Sequence, residues 1–143
     1  MLKVNKHLET VEDTETAFYE AISGGDIEAL MSLWADDDEI VCIHPGSSRL
    51  IGHAAIRATW EQIFAQGGVH IRPVQVHAVQ NVLTSVHSVI EEVHHNSSKA
   101  QDLHVLATNV YMKTPLGWRI VMHHACVVPG EAPSDVPLAS LLH

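Results

Sequence analysis

Cysteine is scarce. Only Cys42 and Cys126 occur in 143 residues, too few for a disulfide framework and without metal-ligand spacing. Cations are also in short supply, with 8 Lys and Arg against 17 Asp and Glu and a net charge of −9. Phosphate contacts need clustered cations, so a general nucleic-acid or anionic-membrane binder is excluded. No apolar run approaches the ~20 residues that span a bilayer. The stretch Met1 to Thr10 has two lysines but no apolar segment, so it does not read as a signal peptide. There is no HExxH pair, no internal repeat and no low-complexity segment. What remains is a globular composition, 46% hydrophobic and 17% charged, at the size of one domain. The expectation is a soluble, cytoplasmic chain that uses no cofactor and no metal.

Histidine is abundant instead. Protonating all twelve would move the net charge from −9 to +3, so charge varies strongly below neutral pH. The pairs His94-His95 and His123-His124 resemble ligand pairs. On a strand, however, adjacent side chains point to opposite faces and cannot grip one ion together.

The first half has helical periodicity. Leu8, Val11, Phe18 and Ile22 share a face, Thr10 caps it, and Ser23-Gly24-Gly25 stops it. Asp26 is an N-cap for a second helix, whose stripe is Ile27, Leu30, Met31 and Trp34. A β-like run from Glu39 to Ile43 closes at the turn signal His44-Pro45-Gly46. A third helix is predicted from about His53 to Gln66, burying Ile56, Trp60, Ile63 and Phe64. Beyond Val69 the period changes. Val74, Val76 and Ala78 alternate with polar residues, and strands follow at about Val82–Val93, Leu103–Lys113 and Trp118–Val127. Asn96 to Lys99 and Thr114 to Gly117 make the turns between them. Helices first and consecutive antiparallel strands afterwards indicate an α+β domain over residues 1–128. The proline-containing stretch 129–143 reads as an irregular tail.

Pairing Lys113 with Trp118 fixes the faces of the last hairpin. Ala107, Asn109, Tyr111, Trp118, Ile120, Met122, His124 and Cys126 then share one face. A few polar groups in an apolar lining are what a small-molecule pocket requires. The opposite face carries Leu106, Val110, Met112 and Val121, too apolar to leave in water, so a second subunit is expected to cover it. A register one residue different would exchange the two sets.

Together these motifs resemble a known superfamily. Gly24-Gly25-Asp26, the run Leu33-Trp34-Ala35-Asp36-Asp37-Asp38, His44-Pro45-Gly46, Gly52 with Ile56 and Trp60, and Gly117-Trp118-Arg119-Ile120-Val121 are similar to the nuclear transport factor 2-like superfamily. The closing segment with His124 and Cys126 is most similar to its SnoaL-like branch, and the resemblance covers about Val11 to Cys126. It implies a cone: a curved antiparallel sheet, mixed at one edge, wrapped around three helices, with a ligand cavity and dimerisation through the outer sheet face. Ketosteroid isomerase, in the same superfamily, uses an Asp base and an oxyanion hole of a tyrosine and a protonated Asp. Carried over by position, the base becomes His44 and the donor Asp becomes Asn109. The tyrosine position falls on Phe18, beside Tyr19. The isomerase dyad itself is therefore absent.

Each candidate carries two readings. His44 is a general base or a turn histidine. Asn109 is an oxyanion donor or a buried amide serving its neighbours. His124 is a pocket residue or the partner of a carboxylate such as Asp37. Phe18, Trp34, Trp60, Tyr111, Trp118 and Met122 line a pocket or fill a core. One of Glu91 and Glu92 faces inward, and Cys126 reads as a small buried hydrophobe rather than a nucleophile. Three functions follow: a proton-transfer isomerase, cyclase or lyase acting on a carbonyl-bearing apolar metabolite, a non-catalytic binder of such a molecule, or a structural dimer with a filled cone.

Overall fold

The computed structural model describes residues 8–95 and 103–129. The expected turn at Asn96 to Lys99, and all of the 129–143 tail beyond Pro129, lie outside the described residues. Helix α1 runs over Val11–Gly24, with Thr10 Oγ1 accepting from the Asp13 amide at 3.1 Å. It ends where Gly25 turns left-handed at φ 63° and returns its amide to the last turn, a conformation glycine adopts without strain. Asp26 Oδ1 accepts from the Ala29 amide at 3.0 Å and opens α2, Ile27–Ser32. Two short strands follow, β1 (Val41–Ile43) and β2 (Leu50–Ile51), then α3 (His53–Ala65). The pair β1–β2 places a two-residue strand where sequence periodicity had too few residues to show one.

Four long strands complete the chain: β3 (Val69–Gln80), β4 (Thr84–His95), β5 (Leu103–Thr114) and β6 (Gly117–Val128). The six strands form one open, curved sheet in the order β2-β1-β6-β5-β4-β3. All pairings are antiparallel except β1 with β6, so the sheet is mixed at one edge, as the resemblance implied. Pro73 sits in the edge strand β3, beside the irregularity between Pro73 and Gln75. An edge is where the missing proline N–H is tolerated.

The three helices pack on the concave face. Phe18 is the hub, with edge-on ring contacts to Tyr19, Trp34, Trp60 and His123 at centroid distances of 5.2, 6.5, 6.4 and 5.2 Å. Burying each such ring contributes roughly 1.5–3 kcal/mol. Trp34, Trp60, Tyr111 and Trp118 are all buried in the same cluster. Trp34 lies just beyond α2 and forms a bridge to Ile120.

The last hairpin departs from a regular ladder at one place. Lys113 pairs with Trp118 and Tyr111 with Ile120, as the sequence suggested, but Val110 pairs with Met122. Val121 is the extra residue of a β-bulge, and a bulge reverses the alternation of every position beyond it. His123 and Ala125 therefore face the core, while His124 and Cys126 are exposed and Met122 is half-buried. The expected inward placement of Met122, His124 and Cys126 is thus corrected by one inserted residue. Cys126 is likewise not a buried hydrophobe. On the convex side Val86, Leu106 and Met112 remain 39%, 40% and 46% exposed.

Candidate functional site

One rung of the sheet concentrates the polar chemistry. Cys42 on β1, His123 on β6, Asn109 on β5 and His87 on β4 are successive directly opposed positions. All four are buried, none more than 3% exposed. Four residues beyond His87 on the same strand face lies Glu91, also buried. Helix α1 crosses above and contributes Glu15 and Tyr19, one turn apart on its inward face.

These groups bond one another in a directed chain. His123 Nδ1 lies 2.5 Å from Asn109 Oδ1, Asn109 Nδ2 donates to the Tyr19 hydroxyl at 2.9 Å, and that hydroxyl donates to Glu91 Oε2 at 2.6 Å. Beside it, Glu15 Oε2 accepts from the Tyr111 hydroxyl and lies 2.8 Å from His87 Nδ1. A longer contact of 3.5 Å from Asn109 Nδ2 joins the two groups. Among buried polar residues there is no Lys or Arg in the described chain, so these carboxylates are met by hydroxyl, amide and imidazole groups.

Burial sets the acid–base behaviour. Desolvation raises the Glu91 carboxyl to about 7, helped by the nearby Glu15 charge and opposed by the Tyr19 hydrogen bond. Desolvation also lowers His123 to about 3, with the charges of His44 and His124 acting in the same direction. The same cause pushes Tyr19 and Tyr111 well above the phenol range. His123 is neutral at physiological pH. Glu91 sits at the midpoint of its titration.

The structure brings His44 and Asn109 onto this interior and leaves His124 out. His44 is 9% exposed, its ring edge-on to Trp60 at 4.7 Å and its Nε2 3.7 Å from Cys42 Sγ. Burial lowers its pKa. Its backbone carbonyl accepts from the Ser47 amide at 3.0 Å in the Pro45-Gly46 turn. His44 thus turns its ring to the interior while its backbone closes the turn. Asn109 has both ends of its amide engaged, which is the serving role rather than a free donor. Asp37 is exposed and its Oδ1 accepts from the Glu39 amide at 2.8 Å, so it is not the partner of His124. Glu15, His87 and His123 were missed as site residues. Their signal was the α1 spacing of Glu15 with Tyr19 and the alternation Ser85, His87, Val89, Glu91 on one strand face.

A cleft of about 1050 Å³ lies elsewhere, between α2 and the tip of the β5–β6 hairpin. Its walls include Met31, Leu33, Trp34, Met112, Leu116 and Val121. It shares only Trp34 with the residues expected to line a pocket. Among the described residues no group of three or more His, Cys, Asp or Glu is placed to hold a metal ion, and no helix is long and apolar enough to cross a membrane.

A family model described as the SnoaL-like domain matches residues 11–129. The chain belongs to the SnoaL-like domain family. It is the corresponding branch of the NTF2-like superfamily. A Thiobacillus denitrificans chain, provisionally named a calcium/calmodulin-dependent protein kinase type II association domain, is 32% identical over 86% of this chain and 98% of its own, with TM-score 0.75. An NTF2-like protein of Streptomyces avermitilis, provisionally named a dehydratase, is 32% identical over 84% of this chain and 94% of its own, with TM-score 0.77. A cystatin-like-fold protein of Novosphingobium aromaticivorans, 20% identical over 85% and 82% with TM-score 0.70, shares the fold of this SnoaL-like domain. No curated protein matches.

Proposed function

We propose that this SnoaL-like domain binds a small, uncharged, carbonyl-bearing apolar metabolite on its concave face and transfers a proton there, as an isomerase, cyclase or lyase does. The observation that carries this reading is Glu91, a buried carboxyl raised to about 7 at the end of a hydrogen-bonded chain that starts at His123. A group titrating near the working pH is suited to accept and return protons. His44 is the second base, at the rim of the same interior, and Asn109 positions Tyr19 and His123. With no buried Lys or Arg among the described residues, an anionic substrate would have no counter-ion. The provisional dehydratase name of the Streptomyces avermitilis relative belongs to the same class of proton chemistry.

A second reading, a filled structural cone, is favoured by one observation: most polar atoms of the cluster already bond one another. On either reading the convex face, with Val86, Leu106 and Met112 in solvent, is proposed to pair with a second copy. The deciding experiment is a turnover screen of small carbonyl and hydroxycarbonyl compounds. Glu91→Gln should lower the rate by about a hundredfold to ten-thousandfold with the fold retained by circular dichroism, and His44→Ala should lower it as well. Equal rates in wild type and Glu91→Gln would remove the proton-transfer reading.

A further inference from the structure

Four buried side-chain atoms have no partner among the described residues: Trp34 Nε1, Trp60 Nε1, Ser85 Oγ and His87 Nε2, of which Ser85 and His87 lie on one strand. Ser85 is 0% and His87 2% exposed. They are alternate residues of β4, so both side chains rise from the same face, roughly 7 Å apart at the backbone. Tyr111 stands directly across from Ser85 and lays its ring edge-on to His87 at 5.0 Å. Its hydroxyl is already committed to Glu15, so it satisfies neither atom.

The missing partner has a defined chemistry. Glu15 Oε2 lies 2.8 Å from His87 Nδ1 and also takes the Tyr111 hydroxyl. A carboxylate only accepts, so Nδ1 carries a hydrogen, and the tautomer with its hydrogen there leaves a lone pair on Nε2. Nε2 needs a donor. The Ser85 hydroxyl hydrogen needs an acceptor. A carbonyl oxygen accepts but cannot donate, and an ammonium group donates but cannot accept. An oxygen bearing a hydrogen does both, and leaving both atoms bare would forfeit two buried hydrogen bonds.

We propose that Ser85 and His87 hold one hydroxyl-type oxygen on the inner face of β4, that of a bound water or of the hydroxyl group of an uncharged ligand. The site lies beside the Glu91 chain, joined to it by the 3.5 Å contact between Asn109 and Glu15. It sets that oxygen against His87, whose other ring nitrogen is held by Glu15 at 2.8 Å.

The test is spectroscopic and does not depend on turnover, so it is independent of the Glu91 reading. Protein labelled with ¹⁵N-histidine should show His87 as the Nδ1–H tautomer, with the Nε2 resonance displaced by an accepted hydrogen bond. Ser85→Ala should move that resonance. Cross-relaxation to the His87 ring in the wild-type protein, which needs no variant, identifies the source. A signal from water that added methanol leaves in place assigns a retained water. A signal that methanol replaces assigns a ligand hydroxyl. An Nε2 resonance at the position of an unbonded ring nitrogen, with no cross-relaxation from water or methanol, would overturn the proposal.

Discussion

Nδ1 of His123 stands 2.5 Å from Oδ1 of Asn109, at the directly opposed position of the neighbouring strand. This contact orients the whole amide. With its oxygen turned to His123, the Asn109 nitrogen faces Tyr19, and the phenol hydrogen is left for Glu91. Each bond in such a chain polarises the next. Asn109→Leu should therefore cost roughly 2 to 5 kcal/mol, because it leaves two buried groups without a partner rather than removing one weak bond. Urea unfolding checks this. A loss below about 1 kcal/mol would mean that the amide is an onlooker.

The two ends of the chain give stability opposite pH dependences. The Glu91 carboxyl rises from 4.5 to about 7 in the fold. Between those values the folded state keeps a proton that the unfolded chain has released. This stabilisation is full below pH 4.5 and is lost as pH rises through 7. At 1.36 kcal/mol per tenfold step, the span amounts to roughly 3 kcal/mol. His123 falls from 6.5 to about 3, so its contribution is present above pH 6.5 and is lost as pH falls through 3. Burial of His44 acts in that second direction. From pH 4.5 to 6.5 the two residues oppose each other. Relative to wild type, Glu91→Gln should lose stability on acidification across that window and gain it above pH 7. His123→Gln should do the reverse. Parallel wild-type and variant curves in urea titrations would show that neither group is perturbed.

Much of the fold was legible because it rests on local rules. Thr10, Asp26 and Gly25 mark helix boundaries through caps that any chain would use, and Lys113 opposite Trp118 follows from the turn. The site was only half legible. Val121 is an ordinary apolar residue in an apolar strand, and nothing in its neighbourhood announces that it is unpaired. Yet that one bulge sets His123 instead of Met122 opposite Asn109 and turns His124 outward. Glu15 and His87 escaped for a different reason. They come from elements distant in sequence and meet only when α1 crosses β4, so their pairing is tertiary information that no period of 2 or 3.6 contains. His44 and Asn109, carried over by position from the resemblance, sit on a turn and a hairpin that are both local and could be placed from the sequence.

Gly117 ties the amino-terminal segment to the hairpin. Its φ is 110°, and a Cβ placed there would come within 2.6 Å of the Leu8 carbonyl oxygen. That carbonyl accepts from the Trp118 amide at 3.0 Å, so the backbone cannot retreat without breaking the bond. Gly117→Ala thus combines an unfavourable dihedral with a backbone clash and should destabilise by roughly 1–3 kcal/mol. The loss should appear in denaturant midpoints. Gly24→Ala is the control, because nothing lies within 4 Å of its added methyl.

The two thiols report on opposite faces of the sheet. Cys42 is wholly buried, and desolvation pushes its thiol up to about 12, so almost no thiolate exists near neutral pH to attack an electrophile. Cys126 is exposed on the convex face, directly across from Leu106. Iodoacetamide should therefore label Cys126 in the native protein and reach Cys42 only after denaturation, as read by intact mass and peptide mapping. The same reagent tests the proposed pairing of two copies. If the convex faces associate, Cys126 alkylation should slow as protein concentration rises, and Leu106→Glu, which sets a charge in the apolar patch, should restore the fast rate. A rate independent of concentration, unchanged by Leu106→Glu, would mean that this face stays in water.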